Sequence, residues 1–397
     1  MTFRVDRRTL LAGSALLIAA AAPDHDADAR AALDRAAAMP PEARLALLRG
    51  IDPQPLSRAV RLDLAAARRG AELETAIAAA SDPAARYALR LRLESGFDVT
   101  PDYAFSWCMD RARSLTVAAD RLLRRLGLAQ GSLAERLRRL ARDPHYLYSN
   151  DDAGRTQAVA DMNRWLAAAR ARLPRQFGAI PAAVDHVQAQ RMSPAEEAAG
   201  KSGYRTLPSF DGTQPGAYLV DLHDISRRPS WSLPSVVHHE LLPGHMMQLP
   251  IQARAAPHAL RLRGAPGFVE GWAIYAEQLS AETGAFADAP EAELGCLQWL
   301  LFRLGRAIID IGINAHGWTD EAALSFLADL QGDPMIFAPF DKDMMRAQAE
   351  PGAFAGQALN WLGIERLREA ARGDMRRFHD RLLADGALPL ILFPGGA

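Results

Sequence analysis

Apolar residues recur every three to four positions through most of the chain. From about residue 28 to 175, stretches such as ARAALDRAAAMPPEARLALLRG and SLAERLRRLARD keep that period and break at proline-containing turns, which predicts a helical N-terminal half. The pattern changes between about 176 and 235, where RQFGAIPAAVD and PSFDGTQPG read as turns and GAYLVDL, residues 216–222, alternates Tyr218, Val220 and Leu222 against Leu219 and Asp221 as a strand would. From Ser232, a predicted N-cap with Pro234 in its first turn, the helical period returns and continues through five further segments that end near residue 386. No period repeats and no low-complexity linker intervenes. The expected fold is one large, mostly α domain with a small β element. Residues 25–180 form its scaffold half and residues 181–397 the half that carries chemistry.

Composition adds exclusions. A 397-residue chain that is 49% hydrophobic can bury a large core, and a formal net charge of -1 argues against nucleic acid as a partner. Arg7 and Arg8 precede an apolar run from Leu10 to Ala22 that ends in small residues, so residues 1–24 read as an export signal of twin-arginine type and the expected location is the periplasm. That run is short for a membrane span and carries no cysteine for a lipid, so no stable membrane anchor is expected. The sequence fixes no oligomeric state. Cys108 and Cys296 are far apart and carry no assigned role.

The chemistry concentrates in HHELLPGHMMQ, residues 238–248. A hydrolytic zinc site needs neutral nitrogen ligands, usually a third carboxylate, an open position and a carboxylate base beside it. His239 and Glu240 fit that need, but the next histidine, His245, follows six residues after His239 rather than four. On an ideal helix those two side chains would point roughly 240° apart and lie about 9 Å apart along the axis. Pro243 removes a helix hydrogen bond and Gly244 opens backbone angles closed to other residues, so a break between the histidines is what would return His245 to His239. His238 and His245 share a face but stand about 10.5 Å apart axially, which makes His238 a packing or supporting residue. Glu270 and Glu277, seven apart on the otherwise apolar FVEGWAIYAEQL, supply the third ligand; Glu270 is favoured, with Glu277 left to orient a histidine.

A second polar series runs along LLFRLGRAIIDIGINAHGW, where Arg306, Asp310 and Asn314 recur every four residues with Arg303 one turn earlier. Two readings apply: an internal Arg–Asp pair, or a wall of the active cleft in which Arg306 and Asp310 hold substrate or support the metal shell.

His239-Glu240-Leu-Leu-Pro243-Gly244-His245, Glu270-Gly-Trp-Ala-Ile-Tyr-Ala-Glu277, the 306–318 segment, Gly356-Gln357-Ala-Leu and Arg377-Phe-His-Asp occur in the order seen in the bacterial domain of unknown function 885, which the chain resembles from about residue 200 to 392. The resemblance implies a helical zinc metallopeptidase-like fold, His239, His245 and Glu270 as ligands to Zn2+, and Glu240 as general base. It also implies a further catalytic group where this chain carries Asn314, with a histidine displaced to His316. Trp361 stands at the place of a tyrosine near Gln357. Together with Tyr218 on the strand, these residues complete the expected site. The expected function is an exported zinc hydrolase that takes a proton from water through Glu240. A peptide is the first substrate and a small amide or ester the second; a catalytically weak metal- or peptide-binding relative is the third reading.

Overall fold

The computed structural model describes residues 24–334 and 338–393; the export signal expected over 1–24 lies outside them but for its last residue. The chain is mostly helical, with one small sheet among the described residues. Helix boundaries follow local chemistry. The Pro101–Arg125 helix begins at Thr100, whose side chain accepts the Tyr103 N–H, with Pro101 in the first turn; it ends on Arg124 and Arg125 and buries Cys108, Ala112, Leu115, Ala119 and Leu122. Ser232 departs from its expected role. Its hydroxyl donates to the Pro229 carbonyl at 2.7 Å, because a short 3-10 turn at Ser230–Ser232 already feeds the chain into the Leu233–Val236 helix.

The Pro290–Ala315 helix is buried along most of its length, as expected of a helix whose polar residues are confined to a few positions. It packs on the Pro101–Arg125 helix, and the Phe268–Glu282 helix packs on the Ala353–Ala371 helix. The largest hydrophobic cluster among the described residues runs from Tyr87 and Cys108 in the first half to Trp361 and Phe393 in the second. Gly271 sets the second packing distance, since a Cβ there would come within 2.3 Å of the Asn360 side chain. Cys108 and Cys296 are buried free thiols on different helices.

The sheet has the order β1-β3-β2, with β1 at Val187–Arg191, β2 at Tyr204–Thr206 and β3 at Gly216–Val220. β3 pairs with β1 in parallel and with β2 antiparallel. The strand expected from GAYLV is therefore present but is not an edge. Both its hydrogen-bonding sides are occupied, so it cannot pair with an extended substrate; the outer strands are β1 and β2, and the outer side of β1 is already bonded by Asn163, which accepts the Ala189 N–H and donates to the Ala189 carbonyl. The VQAQR stretch alternates only weakly in apolar character, which hid β1 in the sequence.

Candidate metal centre

The helix that carries His239 does break before His245. After Leu233–Val236 the backbone widens into a π-helical turn at Val237–Leu241, leaves helical geometry at Leu242, and restarts as His245–Ala255 with Gly244 as N-cap. A Cβ on Gly244 would lie 1.9 Å from the His239 carbonyl oxygen and 2.5 Å from that of His238, so only glycine permits this return of the chain. Trp272 then donates its indole N–H to the Pro243 carbonyl at 3.1 Å and ties the break to the helix that bears Glu270.

His239, His245 and Glu270 converge, with one ligand atom of each lying within 4.8 Å of the others. Glu270 spans the two rings: one oxygen is 3.5 Å from His239 Nε2 and the other 3.4 Å from His245 Nε2. A tetrahedral ion with bonds of about 2.0–2.1 Å separates its ligand atoms by about 3.3–3.4 Å, and each of these two contacts, made by a different Glu270 oxygen, is of that size. His245 is fully buried, and among the described residues neither ring nitrogen has a hydrogen-bond partner. An imidazole in that condition lacks something to bind. The donor set, two imidazoles and a carboxylate, suits zinc.

Glu277 does not enter the cluster. It sits behind His239 and accepts from Nδ1 at 2.8 Å, while its other oxygen accepts from the Ser235 hydroxyl at 2.5 Å. This arrangement fixes the ring so that Nε2 faces Glu270. Ser235 is four residues before His239 on the same helical face, a spacing that could have revealed it in the sequence. Burial and the Arg303 guanidinium push His239 down, but Glu270 and Glu277 outweigh them and hold it up to about 9. Burial also drives the Glu270 carboxyl up, and the two histidines reverse this and hold it well below the usual carboxylate range. His245 moves the other way, its burial outweighing Glu270 and holding the ring below the usual imidazole range.

Around it lies a cavity of about 160 Å³, lined by Gly203, Tyr218, Arg228, Glu240, Trp299 and Arg303 beside the residues above. Glu240 is ion-paired with Arg205 of β2, a partner that no periodicity or motif announced. Tyr218 is buried, and burial together with the Glu240 charge pushes its phenol above the usual tyrosine range, so it stays protonated as a donor.

The other expected residues lie elsewhere. His238 is buried with Nδ1 at 3.0 Å from the Leu242 carbonyl and its ring edge-on to Phe286; burial pushes it down to about 4. Arg306 is not a wall of this cavity. Its guanidinium grips Asp343 at 3.0 and 2.6 Å and stacks over Phe302 and Phe354. The guanidinium that faces the cavity is Arg303, one turn earlier, with Nη2 at 3.3 Å from His239 Nε2. Asn314 and His316 follow Arg303 by about 16 and 20 Å along the helix axis. Asn314 donates to the Asp310 carboxylate and carbonyl and to the Ala347 carbonyl, and His316 packs on Phe105 beside Asp102. Asp310 binds the amides that open the Ala353–Ala371 helix, those of Gly352 at 2.9 Å and Ala355 at 3.0 Å. Trp361 is buried and donates to Gln278 at 2.5 Å, and Gln357 is half-buried on the same helix; neither lines the cavity.

No curated protein matches the chain. Two solved structures share its fold. A candidate lipoprotein from Colwellia psychrerythraea superposes with a TM-score of 0.68 at 23% identity, over 92% of this chain and 68% of that one. A candidate lipoprotein of unknown function from Shewanella oneidensis gives 0.62 at 15% identity, over 92% and 76%. The family model described as bacterial protein of unknown function (DUF885) matches residues 9–394, and with that coverage the chain belongs to this family.

Proposed function

We propose that this chain is an exported zinc-dependent hydrolase, and a metallopeptidase in the first instance. The observation that carries the reading is the convergence of buried His239 and His245 with half-buried Glu270, both nitrogens of His245 being unpartnered among the described residues. His239, His245 and Glu270 would hold the ion, with Glu277 and Ser235 fixing the His239 ring. Zinc in such a setting supplies Lewis acidity to a carbonyl oxygen and acidity to a water. Glu240 is the base that takes the proton from the attacking water, and Arg205 holds one of its oxygens so that the other is free to do so. The Tyr218 hydroxyl is the donor for the oxygen of the scissile carbonyl, the part that Asn314 and Trp361 cannot play from where they stand.

A second reading, hydrolysis of a small amide or ester, is favoured by the cavity. At about 160 Å³ it is smaller than the roughly 300–1,000 Å³ usual for ligand sites. Export is supported by the Arg7-Arg8 pair before its apolar run and by the description of both structural relatives as candidate lipoproteins. Among the described residues no helix is long and apolar enough to cross a membrane.

Purified protein is expected to carry about one zinc per chain by mass spectrometry, and His245→Ala to lose it. Glu240→Gln should keep the metal and lose roughly 10²- to 10⁴-fold of peptide or ester hydrolysis. A wild type without metal affinity, indistinguishable from His245→Ala, would end the proposal.

A further inference from the structure

The polar atoms of the cavity wall are unevenly satisfied. Glu240 has Arg205, and Glu270 and Glu277 have the histidines. Arg228 and Arg303 have much less. Arg228 is 7% exposed, its Nε is buried without a partner, and the nearest carboxylate, Asp221, is 3.9 Å away, beyond hydrogen-bond length. Arg303 Nε is likewise buried and unpartnered, and among the described residues no carboxylate lies within ion-pair distance of this guanidinium. Among the described residues its one hydrogen-bonding contact is His239 Nε2, the atom that a metal would take.

Arg228 is buried and Arg303 is half-buried over the Trp299 and Phe302 rings, and a guanidinium drawn out of water is costly to leave without acceptors, so two facing one cavity call for one. Formal charge leads to the same place. With a divalent cation on the cluster, Arg205, Arg228 and Arg303 stand against Asp221, Glu240, Glu270 and Glu277, which leaves one positive charge over. The missing component is one anion. Guanidinium forks match a carboxylate in planarity and spacing. The cavity confines that carboxylate to within about one residue of the scissile bond, since its volume holds little more.

We propose that Arg228 and Arg303 anchor the α-carboxylate of a C-terminal residue, so that the enzyme removes single residues, or a single amino acid from an acyl conjugate, at a free carboxyl end. The cleavage half of this statement rests on the hydrolase reading above; the anion-binding half does not. The peptide C–N bond breaks by addition of water, the acyl carbon keeps the water oxygen, and the freed amine leaves with a proton.

The test is binding by calorimetry to the zinc-loaded protein of N-acetyl-phenylalanine, its carboxamide, and N-acetyl-aspartate α-amide, which keeps only a side-chain carboxylate. The free α-acid is expected to bind at least tenfold tighter than the carboxamide. Arg303→Gln and Arg228→Gln should each erase most of that difference, with Arg228→Lys restoring part of it. Equal binding of acid and carboxamide to wild type overturns the proposal, whatever the enzyme turns over. Preference for the aspartyl compound overturns the α-carboxylate assignment and leaves the arginines as a receptor for an acidic side chain. Matched N-acyl dipeptides with free or amidated ends then read cleavage: a zinc-loaded protein that shows acid-selective binding but hydrolyses neither disproves the hydrolase reading, and with it the cleavage half of the proposal, while the anion site stands.

Discussion

Glu270 and Asp310 are both carboxylates on otherwise apolar helices, and their surroundings answer them in opposite ways. Asp310 is 0% exposed and fully satisfied: Tyr87 and Asn314 side chains and the Gly352 and Ala355 amides all donate to it. Two of those donors are the open N–H groups of a helix N-terminus, where a negative charge is favoured. Glu270 instead faces His245, whose nitrogens have no hydrogen-bond partner, across a cavity with two under-satisfied arginines. Both were candidates for function in the sequence. The difference in satisfaction separates them: a closed hydrogen-bond inventory marks a joint of the scaffold, and an open one marks a place built for something that arrives later.

Substitution at the two carboxylates should break the fold in one case and leave it intact in the other. Asp310→Ala strands two backbone amides, a tyrosine hydroxyl and an asparagine, and is expected to lower stability by roughly 3–5 kcal/mol. Glu270→Gln, compared in excess chelator, should change stability by less than about 1 kcal/mol, because functional sites are seldom optimised for stability. Urea unfolding of both variants checks the contrast, and a robust Asp310→Ala beside a collapsed Glu270→Gln would reverse it.

Next in size is a pH effect in the scaffold. His379 is buried, with Nδ1 donating to the Gln176 carbonyl and Nε2 accepting from the Tyr275 hydroxyl, and burial pushes it from 6.5 down to about 4. The unfolded chain therefore binds a proton there between about pH 6.5 and 4 that the folded chain refuses. Stability is lost as pH falls through that window and is unaffected above it, by up to about 3 kcal/mol. Glu94 and Asp310, pushed up to about 7 and about 6 by burial, act in the opposite sense, so the informative quantity is the difference between wild type and His379→Gln. The variant should show a shallower acid decline in melting temperature; parallel curves would contradict this. At the metal centre a comparable energy appears as affinity. Glu277→Gln weakens the hold on His239 and is expected to cost 10- to 100-fold in zinc affinity by competition with a chromophoric chelator, with the fold retained.

Much of this was legible in the sequence, and the rest was hidden for identifiable reasons. The helices follow from periodicity, and the approach of His245 to His239 from the Pro243-Gly244 break, which are local properties. Glu277 as the group behind His239 follows from its heptad spacing to Glu270. The wall of the cavity does not, because Arg205, Arg228 and Arg303 reach it from a strand, a loop and a helix whose meeting is set by tertiary packing. Polar residues at four-residue spacing on the Pro290–Ala315 helix suggested a single functional stripe. In the structure its first member, Arg303, opens onto the cavity, while Arg306 is taken by Asp343 and Asp310 with Asn314 by the helix beyond. One face of a 26-residue helix passes through two environments, and sequence spacing carries no label for where one ends.

Asn314 puts the smallest and sharpest test on that division. It donates from one amide to the Asp310 carbonyl at 2.9 Å, the Asp310 carboxylate at 3.2 Å and the Ala347 carbonyl at 3.0 Å, so its work is to tie the end of the helix to the Phe340–Ala349 helix. Asn314→Ala should cost about 1 kcal/mol of stability, since Asp310 keeps its other three donors. It should leave zinc affinity and turnover within twofold of wild type, because a group about 16 Å along the axis from Arg303 cannot meet the reacting carbonyl without unwinding the helix. A hundredfold loss of turnover in Asn314→Ala, at unchanged stability, would move the active cleft to the far end of this helix and make Asp310 part of it.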